Sequence, residues 1–235
     1  MADAAKTTSG NGILDELLLI IREQSFRDPM LDAIRRGSMS RAGVCRWMLQ
    51  ASLVVRDFTR FISAIHANCP DQNGRQLLAE NLWEEHGRGV ASRDHYSLAR
   101  KLARSLGASD ADLDNVQPLP ETTNYINHCF HVTRDGSFVE SMTALGIGVE
   151  RPIPGFFGSM AKHLCSNYGL TPSDVQYLLV HVNEDEMHAR RAEELISASA
   201  NTTELREKAK QALREMLVVK RRFAEALYRH CLDAD

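Results

Sequence analysis

His181-Val182-Asn183-Glu184-Asp185-Glu186-Met187-His188 lies inside the run Thr171 to Ala200, which reads as one helix. At about 100° per residue, His181, Asp185 and His188 project at roughly 0°, 40° and −20°, so two imidazoles and a carboxylate share a sector of about 60°. Glu184 and Glu186 stand one residue off that face and are expected to matter little to it. Burying such a trio strips water from each group, and a divalent metal compensates because it takes neutral His and ionised Asp together. A solvated polar stripe or a hydrogen-bonded core network would show the same spacing, so the rest of the chain has to decide.

Outward from this helix, nearly every segment reads as helix. Thr171-Pro172-Ser173-Asp174 supplies a cap, a proline at the first helical position and a carboxylate in the first turn. Ile13–Gln24 carries an apolar stripe, and Pro29–Gly37 is a short helix stopped by glycine. Ser40 caps a long helix in which Trp47, Ala51, Val54, Phe58, Phe61 and Ile65 alternate at four and three, ended by Cys69-Pro70-Asp71. Gln72–Gly107 is a second long segment, interrupted at Gly87 and Gly89. Ala108–Pro120 reads as a loop and Glu121–Arg134 as helix. In Ser137–Tyr168, Pro152 and Pro154 each remove a backbone donor, freeing the carbonyls of Gly148 and Glu150, so a kink is expected just after Glu150. Asn201-Thr202-Thr203-Glu204 opens the last helix. Without strand alternation or repeats, the expectation is an all-α fold: residues 1–12 a tail, and residues 13–235 a single helical domain.

Composition narrows the function. A chain of 235 residues with 43% hydrophobic content buries an ample core without disulfides. Its 5 cysteines, Cys45, Cys69, Cys129, Cys165 and Cys231, are odd in number and free of C-x-x-C pairs. That pattern suits reduced thiols in a cytoplasm and argues against thiolate zinc or iron–sulfur chemistry. A net charge of −3 with interleaved signs offers no basic face, so nucleic acid is not an expected partner. Ile13–Ile21 is too short and too charged to span a membrane.

Further candidate ligands lie elsewhere in the chain. Glu150 ends the apolar, glycine-rich run Ala144-Leu145-Gly146-Ile147-Gly148-Val149, which implies burial and therefore a partner, metal or arginine. Glu85 and His95 would stand roughly 15 Å apart along a straight helix, too far to share a metal unless Gly87 and Gly89 break it. His128 and His131 share a helical face, and a surface or hydrogen-bonding role is the plainer reading for them. Arg88, Arg93 and Arg151 are all able to bind a substrate carboxylate, and none is assigned that role.

Asn81-Leu82-Trp83-Glu84-Glu85-His86-Gly87-Arg88-Gly89, followed by Arg93-Asp94-His95 and Leu98, the Glu150 segment and H-x3-D-x2-H together resemble the haem-oxygenase-like diiron oxidases. These are relatives of the TenA thiaminases and of pyrroloquinoline-quinone synthase. The resemblance covers most of the chain and implies a seven-helix, haem-oxygenase-type bundle. It implies that Glu85, His95, Glu150, His181, Asp185 and His188 hold two ferrous ions, with Glu80 and Glu84 close enough to compete for the Glu85 role. It implies an oxidase or oxygenase using dioxygen on a small molecule, here a nitrogen-bearing, amino-acid-derived metabolite, with N-oxygenation favoured over C–C cleavage or nitrile formation. A homodimer is also implied, and an external electron donor fits such chemistry. Three carboxylates and three imidazoles suit an open oxygen-activating site better than a closed zinc site.

Haem itself is disfavoured, because the first histidine in the chain is His66. Readings from other classes are a non-enzymatic interaction protein on the same bundle and a TenA-like hydrolase. For the latter, Cys129 beside His128 and His131 is the only nucleophile candidate.

Overall fold

A computed structural model of the chain describes residues 11–232. The expected tail falls mostly on residues 1–10, outside the described residues, and the first helix begins at Asn11 rather than Ile13. In chain order the helices are α1 (Asn11–Glu23), α2 (Pro29–Arg36), α3 (Arg41–Asn68), α4 (Gln72–Glu85), α5 (His95–Leu106) and α6 (Asp110–Asn115). They continue with α7 (Pro120–Arg134), α8 (Phe138–Met142), a π-helical segment (Thr143–Glu150), α9 (Ile153–Tyr168), α10 (Gln176–Ser199) and α11 (Thr203–Leu232). Among the described residues there is no strand, and no helix is long and apolar enough to cross a membrane.

Local chemistry sets most boundaries. Asp28 caps α2 through Met30 N and Leu31 N, Gly37 ends it in the left-handed region, and Ser40 caps α3 through Gly43 N. The stretch expected as a loop contains α6, closed by a reciprocal capping box between Ser109 and Asp112. Thr171 and Asp174 make the expected cap, with Asp174 Oδ2 accepting from Thr171 N at 2.8 Å and from its Oγ1 at 2.6 Å. That cap closes only one turn, however, because Val175 leaves helical geometry (φ −93°, ψ 17°) and α10 starts at Gln176.

The expected kink after Glu150 is the end of the π-helical segment, where Arg151 N donates to Gly146 O across five residues at 3.0 Å. Widened turns of this kind concentrate at functional sites. Gly146 is required here, since a Cβ would collide with Ala192 of α10. This close approach seats Glu150 against the helix bearing His181, Asp185 and His188.

Helix α3 packs on α4, α5, α7 and α11, while α10 packs on α9 and the π-helical segment. One core gathers Phe61, Leu145, Ile147, Leu213 and Met216, and the other Met48, Leu102, Met160, Leu164 and Leu178. Each large side chain buried in this way contributes about 1.5–3 kcal/mol, a sum that lets the fold tolerate a polar interior. Where the two cores meet, residues of both line a single cavity of about 350 Å³.

Candidate metal centre

Glu85, His95, Glu150, His181, Asp185 and His188 are all buried, none more than 7% exposed. Helix α10 presents His181, Asp185 and His188 to the interior, as periodicity requires, and the π-helical segment supplies Glu150.

Glu85 and His95 meet because the helix between them is interrupted. Helix α4 ends at Glu85, two short 3-10 turns cover Gly87–Gly89 and Ala91–Arg93, and Asp94 caps α5 at its first residue, His95. Gly87 (φ 66°) and Gly89 (φ 81°) take the left-handed conformation, and a Cβ on Gly87 would run into the backbone of Arg93 and Asp94. The return places His95 Nδ1 2.8 Å from Glu85 Oε2. Glu85, His95 and His181 each offer a donor atom, and the three atoms lie within 4.8 Å of one another.

His181 and His188 each engage one ring nitrogen with an acceptor outside the six candidate ligands and keep the other for the site. His181 Nδ1 is 2.7 Å from Tyr177 O, a donor's geometry that leaves Nε2 free. His188 Nε2 is 2.7 Å from Glu84 Oε2, and its Nδ1 faces Asp185 Oδ1 at 3.4 Å. His95 Nε2 lies 3.4 Å from Glu184 Oε2. The inward nitrogens His95 Nδ1 and His188 Nδ1 are buried without a hydrogen bond of acceptable geometry. Ring nitrogens set against carboxylates without a well-formed hydrogen bond, on rings oriented by outer acceptors, fit a metal cation that would take the place of their protons. Beside them, a cleft of about 20 Å³ bordered by Asn81, Glu150 and His188 has room for one small occupant.

Burial works against charge on Glu85, but His95, with His181 and His188 beyond it, holds its carboxyl below the usual range. Burial likewise opposes charge on His95, yet Glu184 and Glu85 outweigh it and raise the ring to about 10. His188 follows the same balance, with Asp185, Glu150 and Glu84 carrying it to about 9. Glu150 goes the other way: burial, reinforced by Asp185 and Glu85, pushes it up to about 7 despite His188 and Asn81.

Sequence reasoning missed the outer partners. Glu84 supports His188 rather than competing with Glu85, and Glu80 is taken by Arg191 at 3.1 Å. Glu184, expected to matter little, faces His95, whereas Glu186 is exposed and pairs with Arg190. Arg88, itself left-handed at φ 53°, bridges Glu84 and Glu184 at 3.2 Å each. The signal available in the sequence was adjacency: a carboxylate next to each of two ligand positions.

The weaker candidates separate cleanly. His131 is exposed and bonded to Asp135 at 2.9 Å, so it does not join His128 in a second site. Burial pushes the Cys129 thiol up to about 12, which removes the thiolate that a TenA-like nucleophile needs. Arg151 pairs with Glu193 at 2.9 Å.

Comparisons with known proteins bear on the fold and the family. The chain is 28% identical over 215 residues to a 4-aminobenzoate synthase of Nitrosomonas europaea, covering 87% of this chain and 82% of that protein. A CADD-like protein of unknown function from Nostoc punctiforme superposes with a TM-score of 0.77 at 19% identity, over 94% of this chain and 98% of that one. A domain with a haem-oxygenase-like fold from Shewanella denitrificans gives a TM-score of 0.74 at 17% identity, over 94% and 90% of the two chains. Residues 45–220 match the family of iron-containing redox enzymes, and with three quarters of its length inside that match, on a haem-oxygenase-like all-helical fold, this chain belongs to that family and is an oxidoreductase.

Proposed function

We propose that Glu85, His95, Glu150, His181, Asp185 and His188 hold two ferrous ions, and that the enzyme is a dioxygen-dependent oxidase or oxygenase of a small metabolite. The observation that carries this reading is a set of buried imidazoles turned to one space: His181 and His188 are each tied outward by one nitrogen, His95 Nε2 faces Glu184 at 3.4 Å, and the inward Nδ1 atoms of His95 and His188 make no hydrogen bond of acceptable geometry. Bound iron would supply electron transfer to dioxygen, chemistry that no side chain here performs. The protein's own part is to fix the donors and keep the space around them dry. Tyr177 O and Glu84 set which ring nitrogen carries the proton in His181 and His188, Glu184 faces the outer nitrogen of His95, and Arg88 balances the two glutamates.

Glu85, Glu150, His181 and Asp185 all border the cavity of about 350 Å³, so a substrate there lies against the candidate ligands. Its wall includes Trp47, Phe58, Phe156, Phe157 and Phe223, which favour an apolar or aromatic body and exclude water. Relatives named 4-aminobenzoate synthase support a nitrogen-bearing, amino-acid-derived metabolite as substrate; oxygenation at its nitrogen is the outcome we favour. Anaerobic loading with ferrous iron should give two irons per chain, and the loaded protein should consume dioxygen. Fewer than one iron per chain, or turnover of any substrate undiminished by a chelator, would overturn the proposal.

A further inference from the structure

Among the described residues, Lys220 of α11 is the one lysine on the wall of the large cavity. Its Nζ donates to Gly148 O at 3.0 Å and to Val149 O at 3.4 Å. The first carbonyl is free for a reason written in the sequence: Pro152 has no N–H to give it, and the lysine takes that place. An ammonium has three N–H groups, and these two bonds leave one over.

Among the described residues, no carboxylate lies within ion-pair distance of Lys220. Asp28 also borders the cavity and acts on the ammonium from further off, but its Oδ1 is engaged by Met30 N and Leu31 N at the start of α2. A cation set in an apolar wall without a counter-ion is costly, and the cost is relieved by any anion that enters. Burial draws Lys220 down to about 8 against the pull of Asp28, as expected of a charge short of partners. The remaining wall near α11 and α3 is aromatic and aliphatic, with Val54, Phe58, Tyr125 and Phe223.

We infer that Lys220 is the anchor for a substrate carboxylate, so that the cavity takes an apolar or aromatic carboxylic acid with its acid group on α11 and its body extending toward Glu150 and Asp185. This deepens the proposed function and rests on its reading of the cavity as the substrate chamber. A purely structural Lys220, which only closes the Gly148 and Val149 carbonyls, would show no preference for charge in the ligand.

The test is calorimetric binding of 3-phenylpropanoate against its neutral isostere 3-phenylpropanamide, on the protein both as purified and after anaerobic ferrous loading. The carboxylate should bind about tenfold or more tightly than the amide in both states, the effect of one charge-assisted contact. Lys220→Met should abolish that preference and leave amide affinity within about twofold. Lys220→Gln, which still donates to Gly148 O, gives the same reading should the methionine variant fail to fold, and Lys220→Arg should keep the preference. Equal affinities in the wild type, or a preference that survives in Lys220→Gln, would overturn the assignment. So would a preference seen only with iron, which would place the carboxylate on the metal. Because the assay also runs without iron, a failure of metal loading leaves this result intact, and the two proposals fall separately.

Discussion

On α10, His181, Asp185 and His188 share one face because a regular helix repeats every 3.6 residues, whereas Glu85 and His95 meet only because the helix between them is broken at Gly87–Gly89. The regular arm needs no special backbone. The irregular arm depends on three left-handed residues and on a glycine with no room for a Cβ. Their electrostatics differ too. At the irregular arm Glu85 and His95 hold each other charged, while the regular arm meets Glu150, whose charge burial and neighbouring carboxylates oppose. A metal would therefore complete an arm whose two groups already pair and, beside the other arm, relieve the one carboxylate whose charge is opposed.

If the two arms are equal partners in holding iron, the largest effects should be alike. His95→Ala on the irregular arm and His188→Ala or Asp185→Ala on the regular one should each lower iron to one per chain or fewer and abolish oxidase turnover. Circular dichroism should stay unchanged, because the two apolar cores do not use these groups. A His95→Ala protein that keeps full iron and activity would break the comparison and reduce the irregular arm to scaffolding.

A smaller effect sharpens it. Glu184→Gln removes the charged acceptor opposite His95 and should weaken ferrous affinity by about 10–100-fold, the usual cost of losing a carboxylate behind a metal-bound histidine. Glu186→Gln, at an exposed position paired with Arg190, should leave affinity unchanged. Equal effects from the two variants, measured by anaerobic competition with a chelator, would contradict the outer role of Glu184.

The smallest effect is on pH dependence. His95 and His188, raised to about 10 and 9, stabilise the metal-free fold fully below their ordinary value and lose that contribution as pH rises through those values. Glu150, raised to about 7, stays protonated in the fold where the unfolded chain would ionise, so its burial costs stability as pH climbs from its usual range. All three signs agree: the metal-free site weakens as pH rises. Iron binding has to displace those protons, so it strengthens over the same span. The Tm difference between loaded and metal-free protein should therefore widen between about pH 6 and pH 9. A difference that is flat or shrinks would contradict the protonation pattern.

What the sequence made legible follows the same division. Periodicity placed His181, Asp185 and His188 on one face, and the apolar stripe from Trp47 to Ile65 identified α3, because both are consequences of regular geometry. The kink after Glu150 was readable from Pro152, but the π-helical turn that precedes it was not, since it depends on how closely Gly146 approaches α10. The glycines could mark where α4 breaks, but not that the break returns His95 to Glu85. The roles of Glu84, Glu184 and Arg88 were hidden for a related reason. Each lies one to three residues from a ligand position in the chain, and only folding turns that adjacency into support. Short helix α6 was masked by its acidic, proline-flanked setting, although its Ser109–Asp112 box was present in the sequence.

The central claim is that both arms enclose the same metal centre. Crystals loaded anaerobically with ferrous iron, measured with X-rays on either side of the iron absorption edge, test it most directly. The account predicts two iron peaks inside the space bounded by Glu85, His95, Glu150, His181, Asp185 and His188. A single peak held by α10 and Glu150 alone, or iron bound elsewhere in the chain, would contradict it.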